Sequence, residues 1–465
     1  MGGKKNKVQG KYIYRWVCGL VLTSVATAMF FYVWHRFIVV NNQTGHLTGT
    51  GNLGMSMVIY AVLYTFLGRG LHAFKIGVER RTNVIASQAL TAATTDVIEI
   101  FVSMAITGQF RFFSEFVWRY ILLAIVQMVV LGVLTLVMIK IYHMKFPPLT
   151  ILEIYGNHRN NLYEKINSLE YKYRVAKVLP CDTSESVLLE EIEKYDAVLI
   201  NDIPSRKKNK VLKLCFDRDK RVYFVPKISD VIVKGSDELN LLDTPLFLCR
   251  NIGISFSRSV VKRFFDILLS LVAIVLLSPI MLITAIAIHA EDGGPVFFSQ
   301  ERCTLGGRRF MILKFRSMIV NAESDGQPHA AEKEDKRITK VGKVIRSTRI
   351  DELPQLINIL RGDMSIVGPR PERVEHMELY TKQIPEFTFR SKVKGGLTGY
   401  AQVYGKYNTT ALDKLKLDLI YIMNYSLLMD VQIIFETVKI LFQKESTEGF
   451  DTQPGGCVES TDHMS

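Results

Sequence analysis

Apolar residues are distributed unevenly along the 465 residues of the chain. Four runs crowd its first third, at 14–37, 53–67, 84–106 and 117–141. A helix that crosses a hydrocarbon core takes about 20 apolar residues, so these runs predict four transmembrane helices within residues 1–145, the second being the shortest. The third run carries Asp96 and Glu99. A carboxylate facing lipid is costly, which predicts that both face other helices or lie near an interface.

After Leu149 the pattern changes. Short β-type runs at 150–155, 173–179, 197–201 and 222–225 alternate with polar helical stretches, which predicts a small Rossmann-like α/β domain with a parallel sheet over 149–253. Its first turn reads Gly156-Asn157-His158-Arg159. Without the Gly-x-Gly-x-x-Gly spacing, the backbone cannot approach a pyrophosphate closely, which favours a structural, dimerising or sensing role over dinucleotide binding.

A fifth apolar run covers 264–288, with Ser278-Pro279 at its middle, Lys262 and Arg263 before it and Glu291 and Asp292 after it. Proline removes a backbone hydrogen bond, and the preceding serine can satisfy a freed carbonyl. The run is therefore compatible with a kinked hairpin that enters and leaves on one face, and equally with a kinked crossing. Residues 302–441 read as a compact α/β region. Downstream, Leu415, Leu419, Ile422 and Met423, then Ile433, Ile434, Val438 and Leu441, follow helical spacing, which reads as core or as interfacial helices. Residues 444–465 are polar, contain Gly455-Gly456 and read as a disordered tail.

Charge orients the membrane part. The net charge is +13, which suits an anionic membrane surface or nucleic acid; the apolar spans favour the membrane, and no nucleic-acid motif is present. The N-terminus (Lys4, Lys5, Lys7, Lys11) and the second loop (Arg69, Lys75, Arg80, Arg81) are basic, whereas 41–51 carries no charge. Lys and Arg favour the cytosolic side. Four crossings from a basic N-terminus put everything after Lys145 in the cytosol. The six cysteines are scattered without a metal or disulfide spacing and read as reduced thiols.

The reactive side chains are densest between Lys314 and Arg370: Lys314-Phe315-Arg316, Arg346, Arg349-Ile350-Asp351-Glu352-Leu353-Pro354-Gln355 and Gly368-Pro369-Arg370-Pro371-Glu372. Taken alone, Asp351-Glu352 with Pro354 suits a helix start, and Gly-Pro-Arg-Pro suits a rigid loop. Alternation about Phe315 puts Lys314 and Arg316 on one strand face. Together with Lys262, Arg263 and Asp266 ahead of the Ser-Pro pair, this order of motifs resembles the polyprenyl-phosphate hexose-1-phosphate transferases, the bacterial sugar transferases that initiate capsule, exopolysaccharide and O-antigen synthesis. The four spans and the degenerate nucleotide fold resemble the large subgroup of that family. One departure is Gly395-Gly396 where the family has Pro-Gly, which is expected to loosen that turn.

The resemblance implies a monotopic catalytic domain over 257–443, held by a re-entrant hairpin at 264–288 built around Lys262, Arg263, Ser278 and Pro279. It implies Asp351 as nucleophile, Glu352 as the Mg²⁺ ligand, and Lys314, Arg316, Arg346, Gln355 and Arg370 as substrate-binding residues. The implied partners are a UDP-hexose, undecaprenyl phosphate, the bilayer and downstream glycosyltransferases, with homo-oligomerisation left open and no nucleic acid. The chemistry suits the residues. Exchanging one phosphoanhydride for another needs rate and little driving force; an acyl phosphate keeps the group activated, and arginines clamp phosphate oxygens in bidentate fashion. The rival readings are a non-catalytic membrane sensor that binds a nucleotide sugar and scaffolds partner enzymes, and a membrane-tethered epimerase or dehydratase, against which the missing Gly-x-Gly-x-x-Gly counts.

Overall fold

The computed structural model describes residues 2–41, 50–156, 162–249, 253–320, 335, 337–405 and 409–441. Most of the turn at 156–159 and the tail at 444–465 fall outside them. The chain divides into two compact units, Met1–Val225 and Pro226–Ser465.

In the first unit each apolar run becomes a helix: α1 (Gly2–Asn41), α2 (Thr50–Gly70), α3 (Arg81–Thr107) and α4 (Phe113–Lys145). All four are long and apolar enough to cross a membrane. Their outward faces carry exposed Val, Leu, Ile and Phe, while Phe30, Trp34, Tyr60, Phe116 and Tyr120 are buried between them. Phe30 stacks on Tyr60 with ring centroids 4.3 Å apart. Lipid is as apolar as these rings, so close packing and interhelical hydrogen bonds hold such a bundle. Asp96 and Glu99 do face other helices. Tyr60 donates to Asp96 Oδ1 at 3.0 Å, and Ser56 Oγ donates to Glu99 Oε1 at 3.2 Å.

The strands of this unit are β1 (Leu149–Tyr155), β2 (Tyr173–Pro180), β3 (Ala197–Asn201) and β4 (Arg221–Phe224), interleaved with α5 (Leu162–Asn167), α6 (Glu185–Lys194) and α7 (Ser205–Asp217). They form one parallel sheet in the order β2-β1-β3-β4. All five residues of β3 are buried, as expected where helices cover both faces of a parallel sheet. The unit boundary at Val225/Pro226 falls inside the span 149–253 assigned from sequence.

The second unit opens with α8 (Ile228–Lys234) and an antiparallel hairpin, β5 (Asp237–Leu241) with β6 (Thr244–Leu248). The long α9 (Phe256–Asp292) follows, then the antiparallel pair β7 (Phe297–Cys303) and β8 (Arg309–Phe315). Next come α10 (Lys340–Ser347), a 3-10 turn at Ile350–Glu352, α11 (Gln355–Arg361), β9 (Ser365–Val367) and α12 (Val374–Gln383). The chain closes through β10 (Gly396–Thr398), α13 (Tyr400–Tyr404), α14 (Ala411–Met423) and α15 (Leu427–Leu441), with β10 parallel to β9. Leu415, Leu419, Ile422 and Ile433 pack with Val367 and Phe387 in one core, with Ile434 against it, so these positions of the helical stripe read from the sequence are core packing.

α9 is one helix of 37 residues with Pro279 inside it, and no loop separates its two halves. Pro279 has no amide hydrogen for the Val275 carbonyl, and Ser278 Oγ donates to that carbonyl at 2.8 Å instead. One stripe of α9 packs on the α/β core along its length. Ala273 and Ile274 lie against Phe310, Ile312, Leu356 and Ile359, and Met281, Ala285 and Ile288 against Phe315, Ile345, Ile350 and Leu353. The opposite face exposes Leu268, Val275, Leu276, Leu282 and Ile286.

Candidate active site

The 3-10 turn Ile350–Glu352 is clamped between α10 and α11, and its apolar residue Ile350 is seated on the second half of α9. Arg349, just before it, takes the left-handed conformation with φ 58°. That is unusual for a residue with a side chain and marks a backbone held by its surroundings, often at a functional site.

Both carboxylates of the turn are buried, with contrasting surroundings. Glu352 Oε1 accepts from Arg370 Nη2 at 2.8 Å and Lys314 Nζ at 3.1 Å, with Arg349 Nη1 at 3.7 Å. Burial works to raise its pKa, but Arg370, Lys314 and Arg349 outweigh it and hold the carboxyl well below the ordinary range. Asp351 Oδ1 is buried with no hydrogen-bond partner. Burial raises the Asp351 pKa above the usual aspartate value against the pull of Lys314, with Glu352 adding to the rise. One carboxylate is thus pinned as an anion among cations; its neighbour keeps an unengaged oxygen, which suits a nucleophile.

Lys314 comes from β8, and burial lowers its pKa although Glu352 opposes the shift. Arg370 comes from the loop after β9. That loop depends on close backbone contact: a Cβ on Gly368 would stand 2.4 Å from the Lys394 carbonyl oxygen, and one on Gly396 only 2.1 Å from the Gly368 nitrogen. Neither Gly395 nor Gly396 has a positive φ. Gly396 therefore serves close backbone approach. Arg390 fastens the loop from behind. Its guanidinium donates to the Arg370 carbonyl at 3.0 Å, to Glu372 Oε1 at 3.0 Å and to Asp418 Oδ2 at 3.1 Å. Lys414 also pairs with Glu372. Burial would raise the Glu372 pKa, yet Lys414 and Arg390 hold it down to about 2.

Arg390 is 4% exposed, and removing one member of a buried ion pair strands the other charges. Arg390→Met is expected to cost about 3–5 kcal/mol of stability. Urea unfolding of the purified protein would show it as a lowered midpoint; an unchanged midpoint would mean that the network contributes nothing net.

The remaining residues expected at the site have varied positions. Arg346, in the last turn of α10, is near enough for its charge to act on Asp351. Gln355 is buried at the start of α11. Arg316 does not join Lys314: it pairs with Asp292 at the end of α9, and its Nη1 would stand 2.4 Å from a Cβ on Gly294. It fastens the C-terminal end of α9 to the domain. Lys262 and Arg263 do the same at the other end of α9. Lys262 Nζ pairs with Asp430 at 2.6 Å, and Arg263 donates to the Ile359 and Leu360 carbonyls at 2.5 and 2.8 Å, satisfying the last turn of α11. Asp266 Oδ1 accepts from Ser365 Oγ and from the Ile366 amide.

A family model described as bacterial sugar transferase matches residues 257–444, the span of this site and its helix. A UDP-N-acetylgalactosamine-undecaprenyl-phosphate N-acetylgalactosaminephosphotransferase of Aeromonas hydrophila is 47% identical over 184 residues, which are 39% of this chain and 43% of that protein. A UDP-glucose:undecaprenyl-phosphate glucose-1-phosphate transferase of Caulobacter vibrioides is 41% identical over 191 residues, 40% of this chain and 71% of the relative. The chain belongs to the bacterial sugar transferase family. An enzyme of the same printed name from Klebsiella pneumoniae matches 50% of this chain at 41% identity. The similarity spans about half the length of that bacterial sugar transferase, 50%, and of the Aeromonas one, 43%. Arg349 and Glu372 stood within the two motifs without a role of their own. Arg390 and Asp418 were not singled out from sequence, where no local signal marks them.

Proposed function

We propose that this bacterial sugar transferase moves a hexose-1-phosphate from a UDP-hexose to undecaprenyl phosphate in two steps. The Asp351 carboxylate attacks the phosphorus that bears the hexose, the phosphoanhydride bond breaks and UMP leaves with the electron pair. An oxygen of the lipid phosphate then attacks the same phosphorus, the acyl-phosphate bond breaks, and the Asp351 carboxylate is restored. The observation that carries this reading is the unengaged Asp351 oxygen beside a carboxylate ringed by Arg370, Lys314 and Arg349. Those cations stabilise the charge that builds on phosphate oxygens. The relatives' printed names, which pair UDP-sugars with undecaprenyl phosphate, support the substrate classes. Transfer of label from a UDP-hexose into an organic-extractable lipid tests the reaction; no labelled lipid from any of a panel of UDP-hexoses would favour the scaffold reading.

Mg²⁺ is proposed as the metal. Among the described residues no group of three or more His, Cys, Asp or Glu converges. That is compatible with Mg²⁺, which needs only one or two protein carboxylates when phosphates and water supply the rest. Glu352 would hold it beside the unengaged oxygen of Asp351, and the ion would neutralise phosphate charge. Glu352→Gln is expected to raise the Mg²⁺ concentration needed for half-maximal rate; an unchanged titration would remove Glu352 as ligand.

Lys314 favours ionised Asp351. Attack needs the carboxylate, so the acid limb of kcat/KM is expected above the usual aspartate value. Removing the cation in Lys314→Gln raises the Asp351 pKa further and moves that limb to higher pH. A limb that stays in place would mean that Asp351 does not set it.

The hairpin is proposed in modified form. α9 is fastened to its own domain at residues 262–266 and 291–292 and packed on it between. A helix crossing about 30 Å of hydrocarbon would leave a water-soluble domain behind. Packing along one stripe, with leucine, isoleucine and valine on the other, supports a helix that enters the bilayer from one side and holds Asp351 at headgroup depth, where undecaprenyl phosphate is presented. The sequence places that side in the cytosol, where UDP-sugars are made and from which product passes to downstream glycosyltransferases.

A further inference from the structure

A cavity of about 190 Å³ lies within the first unit, between the basic end of the helix bundle and the N-terminal ends of strands β1, β2 and β4. Four cations line it: Lys11 and Arg15 from the third and fourth turns of α1, Lys172 just before β2, and Arg221 at the start of β4. No Asp or Glu is among its lining residues. Its walls are aromatic. Tyr142 and Phe146 lie 5.0 Å apart by ring centroid, Tyr173 and Tyr223 meet edge to face at 5.6 Å, and Lys11 and Lys172 stand over the rings of Phe146 and Tyr173.

Four like charges around one partly enclosed space repel one another, more strongly than in open water. Part of this repulsion is relieved within the protein. Arg15 Nε donates to the Lys11 carbonyl, and Glu79, the acid whose charge reaches Lys172, is itself engaged by His72 and Lys75. Burial lowers the Lys172 pKa, and Arg15 pushes the same way against Tyr223 and Glu79. We propose that this cavity is a binding site for a phosphate-bearing anion, separate from the Asp351 site. Guanidinium and ammonium groups supply charge-assisted hydrogen bonds to phosphate, and a volume of about six waters at ~30 Å³ each admits a phosphate or diphosphate group. Lys11 and Arg15 stand at the start of a membrane helix, so the phosphate comes either from a lipid headgroup or from a soluble phosphate.

The test uses the full-length protein in phosphatidylcholine nanodiscs and follows acylation of Lys172 by peptide mass spectrometry, with exposed Lys213 as internal reference. Phosphatidylglycerol in the disc, or pyrophosphate in solution, is expected to slow acylation at Lys172 several-fold and not at Lys213; whichever probe acts identifies the source. In Arg15→Gln/Arg221→Gln, half-protection is expected to need at least about ten-fold more of that probe. Without anion, the double variant is expected to unfold at an equal or higher temperature, because a repulsion has been removed. No protection by either probe, equal slowing at Lys213, undiminished protection in the variant, or a lower unfolding temperature without anion would overturn the proposal.

Discussion

Asp351→Asn protein is expected to transfer no hexose phosphate to lipid, while folding and inserting in the membrane as the parent does. An amide cannot form an acyl phosphate, so the loss is total and not graded. The substitution nearly preserves shape, and the unengaged Oδ1 loses no hydrogen bond whether oxygen or nitrogen replaces it. Removing the Asp351 charge also removes a burial penalty that outweighs the pull of Lys314, so the unfolding midpoint is expected to hold or rise. Parent-like turnover in the purified variant, measured as labelled lipid, would remove the covalent route and leave the Glu352 cluster to act on a direct attack by the lipid phosphate.

Replacing Ser278 and Pro279 together by Leu is expected to move the second unit to the wrong side of the membrane and abolish activity. Pro279 withholds an amide, and Ser278 supplies the substitute hydrogen bond to Val275; lipid supplies none. Two leucines complete the hydrogen-bond ladder and lengthen the uninterrupted apolar run, which favours a plain crossing. The probe is Ser299→Cys in a cysteine-depleted background, treated in intact cells with a membrane-impermeant maleimide. No labelling is expected with the natural Ser-Pro pair, and labelling with the double leucine. Labelling with Ser278 and Pro279 present would show that α9 crosses, and the one-sided topology would fall.

How much of this was legible in sequence depended on the range of each interaction. The apolar runs at 14–37 and 117–141 sit inside helices 2–41 and 113–145, because a bilayer imposes a length that composition reports directly. The strands of the sheet were legible for a similar reason: short β-type runs such as 197–201 are what a sheet covered on both faces requires. Asp351, Glu352, Lys314 and Arg370 were also legible as a set, and the fold brings them together from a 3-10 turn, a strand and a loop.

Direction and distant partners were not legible. Alternation puts Lys314 and Arg316 on one face, yet one turns to Glu352 and the other to Asp292, which period 2 alone cannot distinguish. Lys262 and Arg263 were read as part of the membrane hairpin; their charges are engaged by Asp430 and by the carbonyls of α11. Arg390 and Asp418 lie 28 positions apart, and no local pattern announces that pairing. Nor does the Ser-Pro pair reveal whether a helix breaks or continues, since the serine that would soften a break is also what lets α9 run on.

A covalent intermediate at Asp351 can be trapped and weighed. Its most direct test is to incubate the purified protein, without acceptor lipid, with the UDP-hexose that supports turnover, and to measure the intact protein by mass spectrometry. The added mass of one hexose phosphate is expected, located in the peptide that carries Asp351, with one equivalent of UMP released. UMP release that waits for undecaprenyl phosphate, with no adduct on the protein, would contradict it.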